Sequence, residues 1–323
     1  EMQRSLVGSE MCIRDRIKTV FMGTPEFAVP ILDTLIKNTE VVLVVTQPDK
    51  YVGRKKVLTY SPIKNLALEH NIPVFQPVRI KVDYETIKEY HPDLIVTCAY
   101  GQIVPKEVLD TPRLGCINVH ASLLPKYRGG APIHHAIMDG ETKSGITIMY
   151  MDVGMDTGDM IVKKEIPIED SDTLGSLSDK LSKLGASLLE EVLPSIINGT
   201  NTRESQNNAE ATYAHIIKRE DEHLDFQGTA LEVDRKVRAL NPEPYANMLL
   251  NKEEVKVIEG YIGEDANTKA GTIVNIIKDA IGIACKDKIY YITKLKPFGK
   301  KEMMTRDYLN GTDKNKLKMS IVE

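Results

Sequence analysis

The chain has 323 residues, a formal net charge of −4, 42% hydrophobic residues and no Trp. That length accommodates two domains and a sizeable core, and the mild acidity excludes a protein that coats nucleic acid with its whole surface while allowing a local basic patch. No run approaches the about 18 apolar residues of a membrane-crossing helix, and the four cysteines, Cys12, Cys98, Cys116 and Cys285, form no C-x-x-C pair, which argues against a zinc knuckle or dithiol site and suits a reducing cytoplasm.

Residues 1–16, EMQRSLVGSEMCIRDR, mix acids with Arg and lack an apolar stretch or small-residue cleavage site. They read as a leader outside the fold, not a secretory signal. IKTVFMG (17–23) is a β-rich run ending in Gly, and PEFAVPILDTLIKN (25–38) has helical spacing. VVLVVTQPDK (41–50) is a second apolar run closed by turn residues. In SPIKNLALEHN (61–71), Ser61 is placed to cap a helix and Pro62 to start it. IPVF (72–75), a helix over 82–91, and the strands DLIVTCAY (93–100) and GCINVHA (115–121) follow. Short apolar strands alternating with helices predict a mostly parallel sheet covered on both faces, an α/β, Rossmann-like domain. SGITIMYMDV (144–153), DMIVKKEIPI (159–168) and a long helix over 174–198 complete it.

The character then changes. Residues 201–212 lie in a polar stretch and read as a linker between a domain at 17–200 and another at 213–318. The second begins with a helix over 229–240. Short strands with turns between them follow (ANMLL, EVKVIEGYI, GTIVNII, IGIAC, KIYYITKLK), which predicts a small β-barrel.

Asn118 and His120 stand two apart at the carboxyl end of a strand, so their side chains share a face. An amide N–H beside an imidazole suits a developing oxyanion; the plainer reading is a buried pair satisfied by backbone. The Gly-punctuated MDVGMDTGDM holds three carboxylates, Asp152, Asp156 and Asp159, any of which could orient His120. Local spacing does not choose among them. SLLP (Ser122, Leu123, Leu124, Pro125) is a Pro-stiffened turn that offers backbone groups to a flat heterocycle. His134 and His135 are adjacent and face different ways, which disfavours metal ligation. Ser122 lacks a G-x-S-x-G elbow, and GTPEF (23–27) lacks the glycines of a dinucleotide loop. TQPDKYVGRKK (46–56) ends in Arg54, Lys55 and Lys56, either a solvated face or a phosphate-touching loop. Residues 286–318 hold ten Lys or Arg against four acids, a plausible phosphate-binding face.

NVHASLLPKYRGGAPI and MDVGMDTGDM resemble the paired signatures of the 10-formyltetrahydrofolate-dependent formyltransferases. MGTPEFAVPIL, TQPD, AYGQIVP, NPEPYA and KPFGKKEM extend the likeness across roughly residues 17–318. The resemblance implies a Rossmann-like formyltransferase domain followed by a small OB-like barrel that helps hold RNA. It implies transfer of a formyl group from 10-formyltetrahydrofolate, with no metal, to the α-amine of an initiator methionyl-tRNA. An amino-sugar nucleotide or another small amine is the alternative acceptor. The family's catalytic Asn, His and Asp fall on Asn118, His120 and Asp156, so the resemblance selects Asp156 where spacing did not. Folate contacts fall on the Ser122–Pro125 turn and, by position, on Tyr100, Gly101 and Ile103 of AYGQIVP. RNA contacts fall on Arg54, Lys55 and Lys56. A monomer in the bacterial cytoplasm, not at a membrane, is the implied setting.

Overall fold

The computed structural model describes residues 17–53 and 55–312, together with Leu317 and Val322. The leader expected at 1–16 and Arg54 lie outside the described residues. The chain divides into two compact units. One takes the chain to His120 with Thr147–Lys163 and Ser182–Gln206; the other takes Ala121–Ile146, Lys164–Leu181 and the chain from Asn207.

The strands of the first part of the chain are β1 (Lys18–Gly23), β2 (Glu40–Val45), β3 (Lys50–Val52), β4 (Val57–Thr59), β5 (Val74–Phe75), β6 (Leu94–Cys98), β7 (Cys116–His120), β8 (Lys143–Tyr150) and β9 (Met160–Pro167). The helices are α1 (Val29–Asn38), α2 (Pro62–Glu69), α3 (Glu85–Glu89), α4 (Lys106–Leu109), α5 (Pro132–Met138) and α6 (Leu174–Ile197). Seven strands form one sheet in the order β5-β2-β1-β6-β7-β8-β9. β1 pairs in parallel with β2 and β6, β2 with β5, and β6 with β7, whereas β8 runs antiparallel to β7. The mostly parallel Rossmann-like sheet expected from the apolar runs is therefore present. From β1 the chain moves outward to β5 and returns on the other side at β6, so the order reverses between β1 and β6. In such sheets the crevice at the carboxyl ends beside that reversal receives ligands.

Both faces of the sheet are covered, which is why these strands read as continuous apolar runs. Val20, Phe21 and Met22 of β1 are fully buried, as are Leu94, Ile95 and Val96 of β6. Each contributes about 1.5–3 kcal/mol on leaving water, and this places the strand ends firmly. α2 begins as its sequence dictates: Ser61 is extended, and its hydroxyl accepts from Lys64 N at 3.1 Å. One stretch read as a loop has more structure. Lys50–Val52 and Val57–Thr59 pair as the two-stranded ribbon β3–β4, with register Lys50↔Thr59 to Val52↔Val57.

The second unit carries α7 (Ala230–Ala239), β10 (Ala246–Leu250), β11 (Glu253–Asp265), β12 (Ile273–Ile276), β13 (Ile281–Ala284), β14 (Lys288–Pro297), β15 (Met303–Met304) and α8 (Thr305–Asn310). Its strands form an antiparallel sheet ordered β10-β11-β14-β13-β12, with β15 on β14. α7 starts with a capping box: Thr229 accepts from Glu232 N, and the Glu232 carboxylate accepts from Thr229 N. Its Val233 and Val237 join Met248, Val257, Ile283, Tyr290 and Leu295 in one core. β11 shifts register against β14 between Glu259 and Gly260, where Gly260 approaches the Tyr290 ring; a Cβ there would lie 2.6 Å from it.

Candidate active site

β7 ends in the polar pair the sequence singled out. Asn118 is half-buried and His120 is buried, and the two share one face of the strand. Register with β8 sets Asn118 opposite Met149 and His120 opposite Thr147. Thr97 of β6, opposite Asn118 on the other side, donates its hydroxyl to Asn118 Oδ1 at 2.9 Å. That bond fixes the amide: oxygen toward Thr97, Nδ2 toward the loop after β8. Nδ2 donates to Asp156 Oδ1 at 3.4 Å. The other Asp156 oxygen lies 3.7 Å from His120 Nδ1. One carboxylate therefore faces both residues of the strand end.

The loop that delivers Asp156 is held by its backbone. Asp156 adopts φ +52, a left-handed conformation that Asp tolerates better than most residues. Gln206 Nε2 donates to both Asp156 O and Gly158 O at 2.8 Å. Gly158 meets the backbone of Tyr150 so closely that a Cβ would lie 2.0 Å from the Tyr150 oxygen. The two competing acids are used locally. Asp152 Oδ1 accepts from Val153 N at 2.6 Å, and Asp159 Oδ1 accepts from Ser205 Oγ at 2.9 Å. Of the three carboxylates, Asp156 is the one that meets the pair.

AYGQIVP follows β6. The Tyr100 side chain is buried in the apolar cluster with Val20, Met22, Ile95 and Val104. Burial pushes its phenol up to about 12. The Tyr100 carbonyl accepts from Thr24 Oγ1 at 3.2 Å and Gln47 Nε2 at 3.0 Å. Gly101 has φ +87, open to Gly at little cost, and Ile103 is 65% exposed.

Lys55 and Lys56 stand exposed in the turn of the β3–β4 ribbon, with Lys56 N donating to Gly53 O at 3.1 Å. The ribbon strands are exposed along their whole length, Tyr51 to 70%.

The Ser122–Pro125 turn continues the chain two residues past His120 and belongs to the second unit. Ser122 Oγ donates to Lys126 O at 2.6 Å, Leu124 is buried, and Lys126 N closes the turn on Leu123 O at 3.2 Å. Asn208 and Thr212 of the expected linker, with Ala214 just beyond it, brace this segment. Arg128 N donates to Thr212 O at 2.9 Å, Ala214 N to Arg128 O at 2.7 Å, and Tyr127 N to Thr212 Oγ1 at 2.9 Å. The buried Arg128 guanidinium donates to Asn208 Oδ1 at 2.8 Å. His134 on α5 is pushed down to about 4 by burial and by His135, so it is neutral at pH 7. Sequence reasoning missed Thr97, Gln206 and Thr212; each is an ordinary residue whose partners lie far along the chain.

Residues 16–193 match the formyl transferase family and residues 216–313 match the formyl transferase C-terminal domain. The chain is 50% identical over 299 residues to the methionyl-tRNA formyltransferase of Bacillus subtilis (strain 168), covering 91% of this chain and 94% of that protein. Among solved structures it is similar to WlaRD, a sugar 3N-formyl transferase crystallised with dTDP and 5-N-formyl-THF. The TM-score is 0.64 at 25% identity, over 88% of this chain and 99% of the other. A methionyl-tRNA formyltransferase from Clostridium thermocellum shares the fold, with a TM-score of 0.55 at 18% identity over 76% and 94% of the two chains.

Proposed function

The chain belongs to the formyl transferase family, and on that footing we propose that it carries a formyl group from 10-formyltetrahydrofolate to the α-amine of initiator methionyl-tRNA. The observation that carries the reaction is the meeting of Asn118, His120 and Asp156 at the carboxyl end of β7. The named relatives of high identity support the RNA acceptor over an amino sugar.

The chemistry asks little of a base. An α-amine has a pKa of about 8, so a useful neutral fraction exists at pH 7. The amine nitrogen attacks the formyl carbon, and the carbonyl oxygen becomes an oxyanion. The new N–C bond stays, the bond from carbon to the folate N10 breaks, and the proton lost by the amine ends on N10. Tetrahydrofolate and formylmethionyl-tRNA leave. The main tasks are orientation and stabilisation of the oxyanion.

Asn118 is assigned to the oxyanion. Thr97 holds its oxygen, so the amide N–H side is presented without reorganisation. His120 turns Nδ1 toward Asp156, and Nε2 is assigned to the substrate. Asp156 orients the ring and accepts the amine proton through a water. The folate is assigned to Tyr100, Gly101 and Ile103, and to the Ser122–Pro125 turn. Lys55 and Lys56 are assigned to RNA phosphates, and Arg54 joins them by sequence position. No helix among the described residues is long and apolar enough to cross a membrane.

The deciding experiment offers the protein 10-formyltetrahydrofolate with charged initiator methionyl-tRNA, and in parallel with an amino-sugar nucleotide. Rapid formylation of the RNA, rising with pH toward about 8 as the amine loses its proton, is the expected result. Formylation of the sugar alone would overturn the RNA acceptor and leave the roles of Asn118, His120 and Asp156 standing.

A further inference from the structure

A polar web crosses the carboxyl ends of β2, β1 and β6, where the strand order reverses. Its centre is Gln47, two residues past β2. The Gln47 side-chain amide bonds two residues of the segment after β6 and lies beside the glycine between them. Nε2 donates to Tyr100 O at 3.0 Å, Oε1 accepts from Gln102 Nε2 at 3.4 Å, and Nε2 lies 3.5 Å from the position a Cβ on Gly101 would take. Thr24, just past β1, accepts from Gln47 N at 3.4 Å and donates to the same Tyr100 carbonyl. Gln102 in turn accepts from Ile80 N at 2.9 Å.

The Gln47 main chain faces a second group. Its carbonyl accepts from Gln76 Nε2 at 2.9 Å, and the same amide donates to Asp49 Oδ1 at 2.8 Å. Lys64 of α2 donates to Asp49 Oδ2 at 2.6 Å and to Gln76 Oε1 at 2.9 Å. Lys64 and Gln76 together hold the Asp49 carboxyl below its usual range. Residues 47–49 are the root of the β3–β4 ribbon, which starts at Lys50.

The ribbon has three residues in each strand, all exposed. A ribbon so short is marginal alone in water, so its order depends on the root. A ligand that grips Lys55 and Lys56 would restrain the ribbon and its root, which Gln47 joins to Tyr100 and Gln102. The reverse holds by linkage.

We propose that Gln47 is a positioning residue that couples the basic ribbon to the segment after β6, so that RNA and folate each tighten the binding of the other. This rests on the assignment of the ribbon to RNA and of residues 100–103 to folate under the proposed function.

The test measures the dissociation constant of 5-formyltetrahydrofolate, as a non-transferring probe, with and without saturating initiator methionyl-tRNA. In the unaltered protein RNA tightens the folate about fivefold. In Gln47→Leu the ratio falls to about one while each ligand alone shifts less than about threefold. A merely structural role would weaken both ligands and leave the ratio intact. Lys64→Met breaks the same link at the root and gives the same loss of ratio, so the test survives a Gln47→Leu protein that does not fold. A ratio of one in the unaltered protein, or an unchanged ratio in both variants, overturns the coupling alone. An unaltered protein that binds folate and no RNA overturns the proposed function and the coupling with it.

Discussion

The end of β7 and the tip of the β3–β4 ribbon are built on opposite terms. At β7, His120 and Asp156 keep only 6% and 17% of their side-chain surface in water, and Thr97 and Gln206 hold the surrounding amide and backbone. On the ribbon, both strands are exposed throughout, and Lys55 and Lys56 stand in water. The contrast separates two kinds of work. Oxyanion stabilisation needs donors fixed in advance in a dry setting, where they cost no reorganisation. Phosphate attraction acts over about 10 Å at ordinary salt and tolerates movement. A rigid strand end suits the first, and a solvated ribbon suits the second.

The largest expected break lies at the strand end. Asn118→Ala should lower kcat for formyl transfer by about 10²–10³ with thermal stability nearly unchanged. Single-turnover kinetics read this directly, and a loss under about threefold would remove Asn118 from the oxyanion. Next comes the ribbon. Lys55→Ala with Lys56→Ala should raise KM for the RNA about tenfold at low salt, leave kcat at saturation nearly intact, and flatten the dependence of log affinity on log salt by about one to two. A kcat effect without a KM effect would move the ribbon's role from binding to chemistry.

A smaller effect tests the support of the site. Thr97→Val keeps the volume and removes the bond to Asn118 Oδ1. A lost hydrogen bond of ordinary strength predicts a fall of about three- to tenfold in kcat, with little change in KM for either substrate. The smallest belongs to the scaffold alone. Ser61→Ala removes the cap of α2, should cost about 1 kcal/mol in an unfolding titration, and should leave kcat untouched.

Much of this was legible residue by residue. The apolar runs of β1, β2 and β6, the capped start of α2 and the paired positions 118 and 120 follow from periodicity and local hydrogen bonding, which act over a few residues. The β3–β4 ribbon was not, because its strands bury nothing and so carry no alternation of apolar and polar residues. The stretch that carries Asn208 and Thr212 reads as a polar linker, yet it is stitched to Arg128 and Tyr127 by bonds across eighty or more residues. Polar composition marks a segment as wet or turn-forming and does not say what its backbone pairs with.

The sequence by itself determined that this chain folds as an α/β domain followed by a second part of short β-strands, and that an amide and an imidazole share a strand end. Hydrophobic period and strand alternation are local properties, so they are written locally. Local spacing left three carboxylates open and the family likeness pointed to Asp156; the tertiary structure alone decided how that carboxylate meets the pair. Asp152, Asp156 and Asp159 sit in one short loop with similar surroundings in the sequence. Only folding sends Asp152 to its neighbour's N–H and Asp159 to Ser205, and lets Gln206 hold Asp156 against Asn118 and His120. The contacts that place Asp156 and Asp159 join residues far apart in the chain, and no short window of sequence contains both ends.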